Sequence, residues 1–294
     1  MSFKQIFIES KAYLSYRNNL MVVKTDTVDT TISLSDIDLI IVESPYTTIT
    51  AALLSHLARY DVSIVFVDDT YMPSSMAHGI FKHSRVSSIQ NAQISLSKPR
   101  KNKLWKSIVA QKIHNQAEVL HAVTGNVELY GFIRRIQSGD KTNIEAVAAS
   151  YYFHDLFGSK FVRKNDLDLR NSALNYGYAI LRSSIARYLI GYGLNPSFGI
   201  WHASSLNGYN LADDLLESFR PVIDYYVVRN IPDEGYLDKD IRYDLVSLTN
   251  QTVFSYDGKT TVLRDAMRQS VASYQSYLFG KREGLELFDL GLAK

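Results

Sequence analysis

Short runs rich in apolar residues and separated by turn residues occupy most of the chain up to Val67, and this pattern predicts β-strands. Asn18-Asn19 separates two of these runs and predicts a tight hairpin, because both residues tolerate a positive φ. One stretch differs, since residues 47–60 carry isoleucine and leucine at helical spacing and predict a helix packed on the sheet. The predicted strands cover residues 5–9, 11–16, 20–25, 30–34, 38–43 and 62–67.

Beyond residue 98 the apolar positions recur every three or four residues, which predicts helices. In the first of them, over residues 105–123, the stem of Lys112 interrupts the apolar stripe, and Gly125 ends the helix. A small hairpin is predicted over residues 252–263, because Asp257-Gly258 is a preferred two-residue turn. The other predicted helices cover residues 171–190, residues 211–220 with Asn210 as the N-cap, and residues 264–279.

The two patterns together predict an α+β fold of two domains. A β-rich N-terminal domain is predicted over residues 1–75 and a larger α-helical domain over residues 99–294. The length and a hydrophobic fraction of 46% are sufficient for two cores. Residues 76–98 are predicted to be a basic linker, because turn residues and a polar, serine-rich run are typical of domain boundaries.

Charge is distributed unevenly along the chain. The formal net charge is only +2, so the composition as a whole does not indicate a nucleic-acid-binding protein. Between Thr70 and Ala117, however, there is no acidic residue. A phosphate backbone binding to this basic run and a solvated basic linker are equally good interpretations. The basic residues of the run are Lys82, Arg85, Lys98, Arg100, Lys101, Lys103, Lys106 and Lys112.

The chain contains no cysteine, which excludes disulfides and thiolate metal sites. Metal ligands must then come from histidine, aspartate and glutamate, a donor set that favours Mg²⁺ or Mn²⁺ over structural zinc. No apolar run approaches the roughly 18 residues of a membrane span. We therefore expect a soluble, cytoplasmic protein.

The residues most suggestive of chemistry lie in the stretch 193–221, where a loop rich in glycine, proline and asparagine precedes the helix predicted over 211–220. His202 is in the loop, and Asp214 and Glu217 are on the helix about 60° apart, so that their carboxylates could converge on one ion. The alternative is that the acids form only the solvated face of an amphipathic helix and that His202 is a hydrogen-bonded core residue.

Two further positions are ambiguous. Glu145 follows Thr142 by three residues, which is the spacing of a helix capping box, and a first-turn glutamate could equally be a ligand. His114 and His121 lie seven residues apart on one predicted helix, too far along its axis to share a small ion, and are interpreted as structural.

Several short motifs give the chain a family resemblance. They are Asn175-Tyr176-Gly177-Tyr178, Gly193-Leu194-Asn195-Pro196, Gly199, His202 and the run from Asp213 to Pro221. In these motifs, and in the length and order of its elements, the chain resembles the CRISPR-associated Cas1 integrases, in particular the short members found in type II systems. The resemblance implies a β-sandwich-like N-terminal domain that forms a homodimer and an α-helical catalytic domain.

The resemblance also implies a divalent-metal site made from a glutamate, a histidine and an acidic pair. In this sequence these positions fall on Glu145, His202, Asp214 and Glu217. Glu145, His202 and Glu217 would hold Mg²⁺ or Mn²⁺, with Asp214 in support. Many relatives have aspartate where Glu217 stands, so the relative roles of Asp214 and Glu217 stay open.

The activity implied is metal-dependent integration, in which the 3′-hydroxyl of a DNA fragment attacks a phosphodiester of a repeat, with hydrolytic nicking at the same site. The implied partners are double-stranded DNA, a second copy of the chain, the small Cas2 protein and other type II adaptation proteins, but no membrane. A metal-dependent nuclease acting on branched or single-stranded DNA and a non-catalytic DNA-binding scaffold are the alternatives. The candidate DNA-binding residues are Lys101, Lys103, Arg163, Lys164, Arg182 and Arg220.

Overall fold

The computed structural model describes residues 4–79, 83–165, 167–255 and 258–292. The chain divides into two compact units, Met1–Ser84 and Arg85–Lys294. The first unit is rich in strands and the second is mainly helical, so the predicted α+β class is confirmed. Their boundary lies within the segment 76–98 that the sequence predicts as a linker. The second half of that segment differs from the prediction, because Val86–Ile94 is a helix that buries Ile89 and Gln93.

The first unit contains two four-stranded sheets. One has the strand order β1-β5-β7-β8, in which the first three strands are parallel and β8 is antiparallel to β7. The other has the order β4-β3-β2-β6, an antiparallel meander with β6 parallel to β2. The strands are β1 (Lys4–Ile8), β2 (Tyr13–Arg17), β3 (Leu20–Lys24), β4 (Asp29–Ser33), β5 (Ile37–Val42), β6 (Thr48–Ile49), β7 (Ser63–Val67) and β8 (Pro73–Ala77).

Helix α1 (Ala51–Tyr60) follows from local sequence signals. The hydroxyl of Thr50 accepts a hydrogen bond from the Leu53 N–H and caps the helix, and Leu53 and Leu57 form its buried face. The apolar residues of both sheets and of α1 form one core cluster. The predicted Asn18-Asn19 hairpin is confirmed, since both residues have positive φ and β2 pairs with β3 across the turn.

The second unit is arranged around two long helices. Helix α3 begins with Pro99 in its first turn and ends at Gly125, whose positive φ of 79° closes the C-terminus. It contacts α5, α7 and α8, whereas α6 contacts α7, α8, α9 and α10. The helices are α2 (Val86–Ile94), α3 (Lys98–Thr124), α4 (Tyr130–Ile133), α5 (Ile144–Phe157), α6 (Leu169–Gly191), α7 (Asn210–Leu216), α8 (Arg220–Asn230), α9 (Lys239–Ser247) and α10 (Leu263–Leu278).

The predicted helix over residues 211–220 is wrong in its extent. Helix α7 ends at Leu216, the chain makes a turn, and a new helix begins at Arg220. Pro221 explains the break, because its ring removes the N–H that would continue the first helix but suits the first turn of the second. Asn210 is also not the N-cap, since it is already the first residue of α7.

The predicted hairpin is part of a three-stranded sheet with the order β10-β9-β11. Its strands are β9 (Thr252–Ser255), β10 (Thr260–Val262) and β11 (Phe288–Asp289), all antiparallel. Asp257 of the predicted turn and Tyr256 before it lie outside the described residues. Among the helices of the described chain, none combines the length and the apolar character that a membrane span requires.

Candidate functional site

The loop between α6 and α7 is folded around the carboxylate of Asp214. Asp214 is fully buried and accepts the backbone N–H groups of Ile200 at 2.5 Å, Trp201 at 2.9 Å and His202 at 3.1 Å. Gly199 is required in this loop, because a Cβ there would lie 2.1 Å from the carbonyl oxygen of His202. The charge-assisted hydrogen bonds give a loop without regular secondary structure a defined shape.

Asn210 supports the same loop from the start of α7. Its side-chain amide donates to the carbonyl oxygens of Ser197, Ser204 and Asn207, and its oxygen accepts the N–H of Ser204. The amide therefore closes the loop where the sequence analysis predicts a helix cap. Turn-rich sequence predicts an ordered loop here, but these long-range bonds depend on the tertiary fold.

Asp214 contacts the imidazole ring of His202 as well as its backbone N–H. The ring Nδ1 lies 2.7 Å from Asp214 Oδ1, and the ring packs edge-on against Trp105. The hydrogen bond to Asp214 raises the pKa of His202 above its ordinary value, and the charge of Glu217 acts in the same direction. With Nδ1 engaged, Nε2 is the ring nitrogen that can bind a ligand, and the side chain is 43% exposed.

The ammonium of Lys112 brings Glu145 and Glu217 together. Lys112 Nζ is 2.6 Å from Glu145 Oε1 and 2.5 Å from Glu217 Oε2, although the three residues come from α3, α5 and the turn after α7. The other oxygen of Glu217 lies 3.1 Å from Nε of Arg220. In the sequence Lys112 interrupts an apolar stripe and belongs to the basic run, and a lysine in such a stripe is the signal that could have indicated this pair.

Electrostatics stabilise the charged forms of this cluster. Burial would raise the pKa of Glu217, but Arg220 and Lys112 outweigh it and lower the pKa to about 2. Burial would likewise lower the pKa of Lys112, but Glu217 and Glu145 raise it above its ordinary value. At neutral pH Glu217 is therefore a buried carboxylate between the ammonium of Lys112 and the guanidinium of Arg220.

The residues of this cluster fit a divalent ion. Glu217 Oε2 is buried and lies 2.5 Å from the Lys112 ammonium, a charge-assisted contact in a position that a metal ion could take. Two carboxylates close enough to share one ammonium can also share one metal ion. His202 contacts Asp214 and, among the described residues, does not join Glu145 and Glu217 in a group of three closely spaced ligand atoms. A histidine ligand added to the two carboxylates would suit Mn²⁺ as well as Mg²⁺.

Glu145 does not cap its helix, so the capping-box interpretation is wrong. The carboxylate of Asp140 accepts the N–H groups of Ile144 and Glu145, both at 2.9 Å, and thereby caps α5. Asp140 can do so because the preceding turn places it beside the first helical residues, with φ of 44°. The side chain of Glu145 is left to pair with Lys112.

A cleft of about 620 Å³ opens beside Glu217 and Lys112. Three cations, Arg163, Lys164 and Arg220, line it together with these two residues. Arg163 donates to the side-chain oxygens of Asn171 and Asn175, whereas Lys164 is exposed. The cleft can therefore accept a phosphate group next to the carboxylate cluster.

The other candidate DNA-binding residues are in different surroundings. Lys101 donates to the carbonyl oxygen of Gly199 and lines a second cleft, of about 560 Å³, which contains His202. Arg182 pairs with Asp213 at 2.7 Å, and Lys103 is exposed beside a third cleft. Lys101, Arg182 and Arg220 thus already have internal partners that a DNA phosphate would have to share.

Asp224 is a buried acid in the wall of the first cleft that the sequence analysis does not single out. It is fully buried and accepts a hydrogen bond from the hydroxyl of Tyr178. Burial raises the pKa of Asp224 to about 6, although Tyr178 acts in the opposite direction. A carboxylate in this environment costs free energy at neutral pH.

We expect Asp224→Asn to change how the free energy of unfolding depends on pH. The carboxyl binds its proton more tightly in the folded chain than in the unfolded chain, so its contribution to stability falls as pH rises from about 4 to about 6. Asparagine cannot ionise. The free energy of unfolding of the variant should therefore rise by roughly 2 to 3 kcal/mol, relative to that of the wild type, between pH 4 and pH 7.

Urea unfolding at a series of pH values measures this difference. Asp69→Asn, which removes an exposed carboxylate, is the control and should follow the wild type throughout. An unchanged difference between Asp224→Asn and wild type across the range would contradict the assignment of a raised pKa to Asp224.

Comparison of the sequence with known proteins identifies relatives in a single family. A sequence profile of the family described as "CRISPR associated protein Cas1" matches residues 6–266. The CRISPR-associated endonuclease Cas1 of Neisseria meningitidis serogroup C (strain 8013) is 38% identical over 245 residues, which cover 82% of this chain and 80% of that protein.

The fold is shared with solved structures of other proteins. A casposase bound to integration product matches with a TM-score of 0.79 at 17% identity, over 97% of this chain and 93% of that one. A chain of a Cas6-RT-Cas1–Cas2 complex matches with a TM-score of 0.74 at 19% identity, over 99% of this chain and 36% of that one.

Proposed function

The chain belongs to the Cas1 family of CRISPR-associated endonucleases and integrases, and we propose that it is a metal-dependent DNA integrase of spacer acquisition. In the proposed reaction the 3′-hydroxyl of a DNA fragment attacks a phosphodiester of a repeat and is joined to it. Hydrolytic nicking would use the same residues with water in place of the hydroxyl.

The observation that carries the proposal is the pair Glu145 and Glu217, drawn together by one cation beside a basic cleft. We propose that Glu145, Glu217 and Nε2 of His202 hold a Mg²⁺ or Mn²⁺ ion. When bound, such an ion stabilises negative charge on the phosphate under attack and lowers the pKa of the attacking hydroxyl.

The remaining roles are proposed from the contacts of the chain's own residues. Asp214 has one oxygen on two backbone N–H groups and the other on His202, so it orients the histidine and is not itself a ligand. Lys112 balances the two carboxylates and keeps them close together. Arg163 and Lys164 lie along the cleft and would bind phosphates of the DNA.

The proposed partners are a fragment and a repeat of double-stranded DNA, a second copy of the chain, the Cas2 protein and other type II adaptation proteins. The integration product held by the casposase and the presence of Cas2 in the related complex support the DNA and Cas2 partners. We propose that the β-rich unit, Met1–Ser84, forms the homodimer contact and that the helical unit is catalytic.

An integration assay with and without metal tests the proposal. A fragment with 3′-hydroxyl ends and a repeat-bearing plasmid are incubated with the chain and its Cas2 partner in Mg²⁺, in Mn²⁺ or in EDTA. We expect joined products with both metals and none with EDTA, because the carboxylate cluster cannot stabilise the phosphate charge alone. DNA binding should survive the chelator, since the cleft cations supply it.

Other outcomes identify the alternative functions. Nicking without joining, in the presence of Cas2 and metal, would favour a nuclease acting on branched or single-stranded DNA. DNA binding that is unaffected by EDTA, without any turnover in either metal, would favour a non-catalytic scaffold.

A further inference from the structure

A second group of metal-binding side chains lies on the far side of α3. His114 and Glu118 are four residues apart and therefore share one face of this helix, and Asp289 approaches them from β11. His114 Nε2 is 3.9 Å from Glu118 Oε1 and 3.8 Å from Asp289 Oδ1. One ligand atom from each of the three residues lies within 4.8 Å of the others.

This cluster is separate from the carboxylate pair around Lys112. Positions 112 and 114 of an α-helix differ by about 200°, so the two side chains point to opposite sides of α3. Lys112 faces α5 and the turn after α7, whereas His114 faces β11 and packs edge-on against Tyr130. An ion in one cluster would not contact the other.

A backbone amide fixes the two carboxylates relative to each other. The N–H of Gly291 donates to Glu118 Oε2 and to Asp289 Oδ1, at 2.9 Å in both cases. Gly291 has a φ of 66°, which lets the turn after β11 present its amide in this direction. Because Oε2 of Glu118 is held by this bond, its Oε1 is the oxygen that faces His114.

The cluster combines a buried carboxylate with an imidazole that solvent can reach. Glu118 is only 3% exposed, so its carboxylate has lost most of its contact with water. His114 is about one-third exposed and leaves the cluster open to ions from solvent. The negative charges of Glu118 and Asp289 add to burial in raising the pKa of the nearby Tyr130.

The donor set matches a borderline transition metal. One imidazole nitrogen and two carboxylate oxygens are ligands that Zn²⁺ accepts, with solvent in the remaining position, and Mn²⁺ binds the same set more weakly. At Zn²⁺ bond lengths of about 2.0 to 2.1 Å, tetrahedral ligand atoms lie about 3.4 Å apart. A rotation of the partly exposed His114 ring would bring its nitrogen the remaining distance of about half an ångström.

We propose that His114, Glu118 and Asp289 form a second divalent-metal site, which binds Zn²⁺ and fastens β11 to α3. The ion would bridge two elements that are far apart in sequence, so binding should stabilise the fold. The same helix carries Lys112, and the clamp would hold that part of α3 in place. This inference does not depend on the proposed integrase activity.

Zinc titration of chelator-treated protein in a His202→Ala background tests the site, because that substitution removes one ligand of the other proposed site. Isothermal titration should show one Zn²⁺ equivalent, and zinc should raise the melting temperature. Adding His114→Gln should weaken the binding at least about tenfold and abolish the rise. His121→Gln, on an exposed position of the same helix, is the matched control and should change neither quantity.

Asp289→Asn gives a second ligand substitution in case His114→Gln does not fold, and it should weaken zinc binding in the same way. Equal zinc affinity in the His114 variant, the Asp289 variant and the His121 control would overturn the proposal, as would the absence of any zinc binding in the His202→Ala background. Two zinc equivalents in that background, of which His114→Gln removes one, would support the clamp while contradicting the role proposed for His202.

Discussion

His202→Ala is expected to reduce strand transfer by about a hundredfold or more while leaving the fold and DNA binding nearly unchanged. The substitution removes Nε2, the proposed metal ligand, from a side chain that is 43% exposed, so it leaves little buried cavity. Asp214 loses one hydrogen bond but keeps its three backbone N–H donors, which are sufficient to hold the loop. The rate of product formation in Mg²⁺ and in Mn²⁺ is the measurement.

Fluorescence anisotropy of labelled DNA and circular dichroism establish that binding and folding persist in the His202 variant. His121→Ala, on an exposed position of α3, is the matched control and should integrate at the wild-type rate. Strand transfer at the wild-type rate in His202→Ala would show that His202 is not a catalytic residue. A parallel loss of DNA binding would instead mean that the histidine supports the loop and not the chemistry.

The N-terminal strands could be predicted because short runs rich in apolar residues are separated by turn residues, and the burial of each run follows this local pattern. Strand β2, for example, buries Leu14 but exposes Tyr13. Helix α2 could not be predicted, because its sequence is polar and buries only Ile89 and Gln93. The Gln93 amide donates to the carbonyl oxygens of Asn195 and Phe198. No local pattern can record a contact over a hundred residues away.

In the candidate site, too, local motifs identified the residues but could not predict their contacts. The motifs identified His202, Asp214 and Glu217, but the expectation that the two acids converge from one helix face was based on a helix that ends at Leu216. In the structure Asp214 turns toward the loop and Glu217 turns toward Lys112. The different partners come from the helix break at Pro221, and they give the two acids different proposed roles.

Glu217→Gln is expected to eliminate detectable strand transfer and also to lower the free energy of unfolding by about 3 kcal/mol at pH 7. The carboxylate is buried between Lys112 and Arg220, so its loss leaves two cations with less compensating charge. The pKa of about 2 means that this stabilisation is present above the ordinary pKa of 4.5 and is lost as pH falls toward 2. The stability difference between wild type and variant should therefore shrink in acid, as measured by urea unfolding at pH 7 and pH 3.

A second substitution separates the structural role of Glu217 from its proposed metal-binding role. Lys112→Met removes one of the cations that Glu217→Gln leaves uncompensated, so the double variant should recover much of the lost stability. It should not recover strand transfer, because a glutamine oxygen cannot replace the charge of a carboxylate ligand. Glu286→Gln, which breaks an exposed pair with Arg282, is the control and should cost less than about 1 kcal/mol. Recovery of strand transfer in the double variant would show that Glu217 acts only by stabilising the fold, and the metal site would then lack its central ligand.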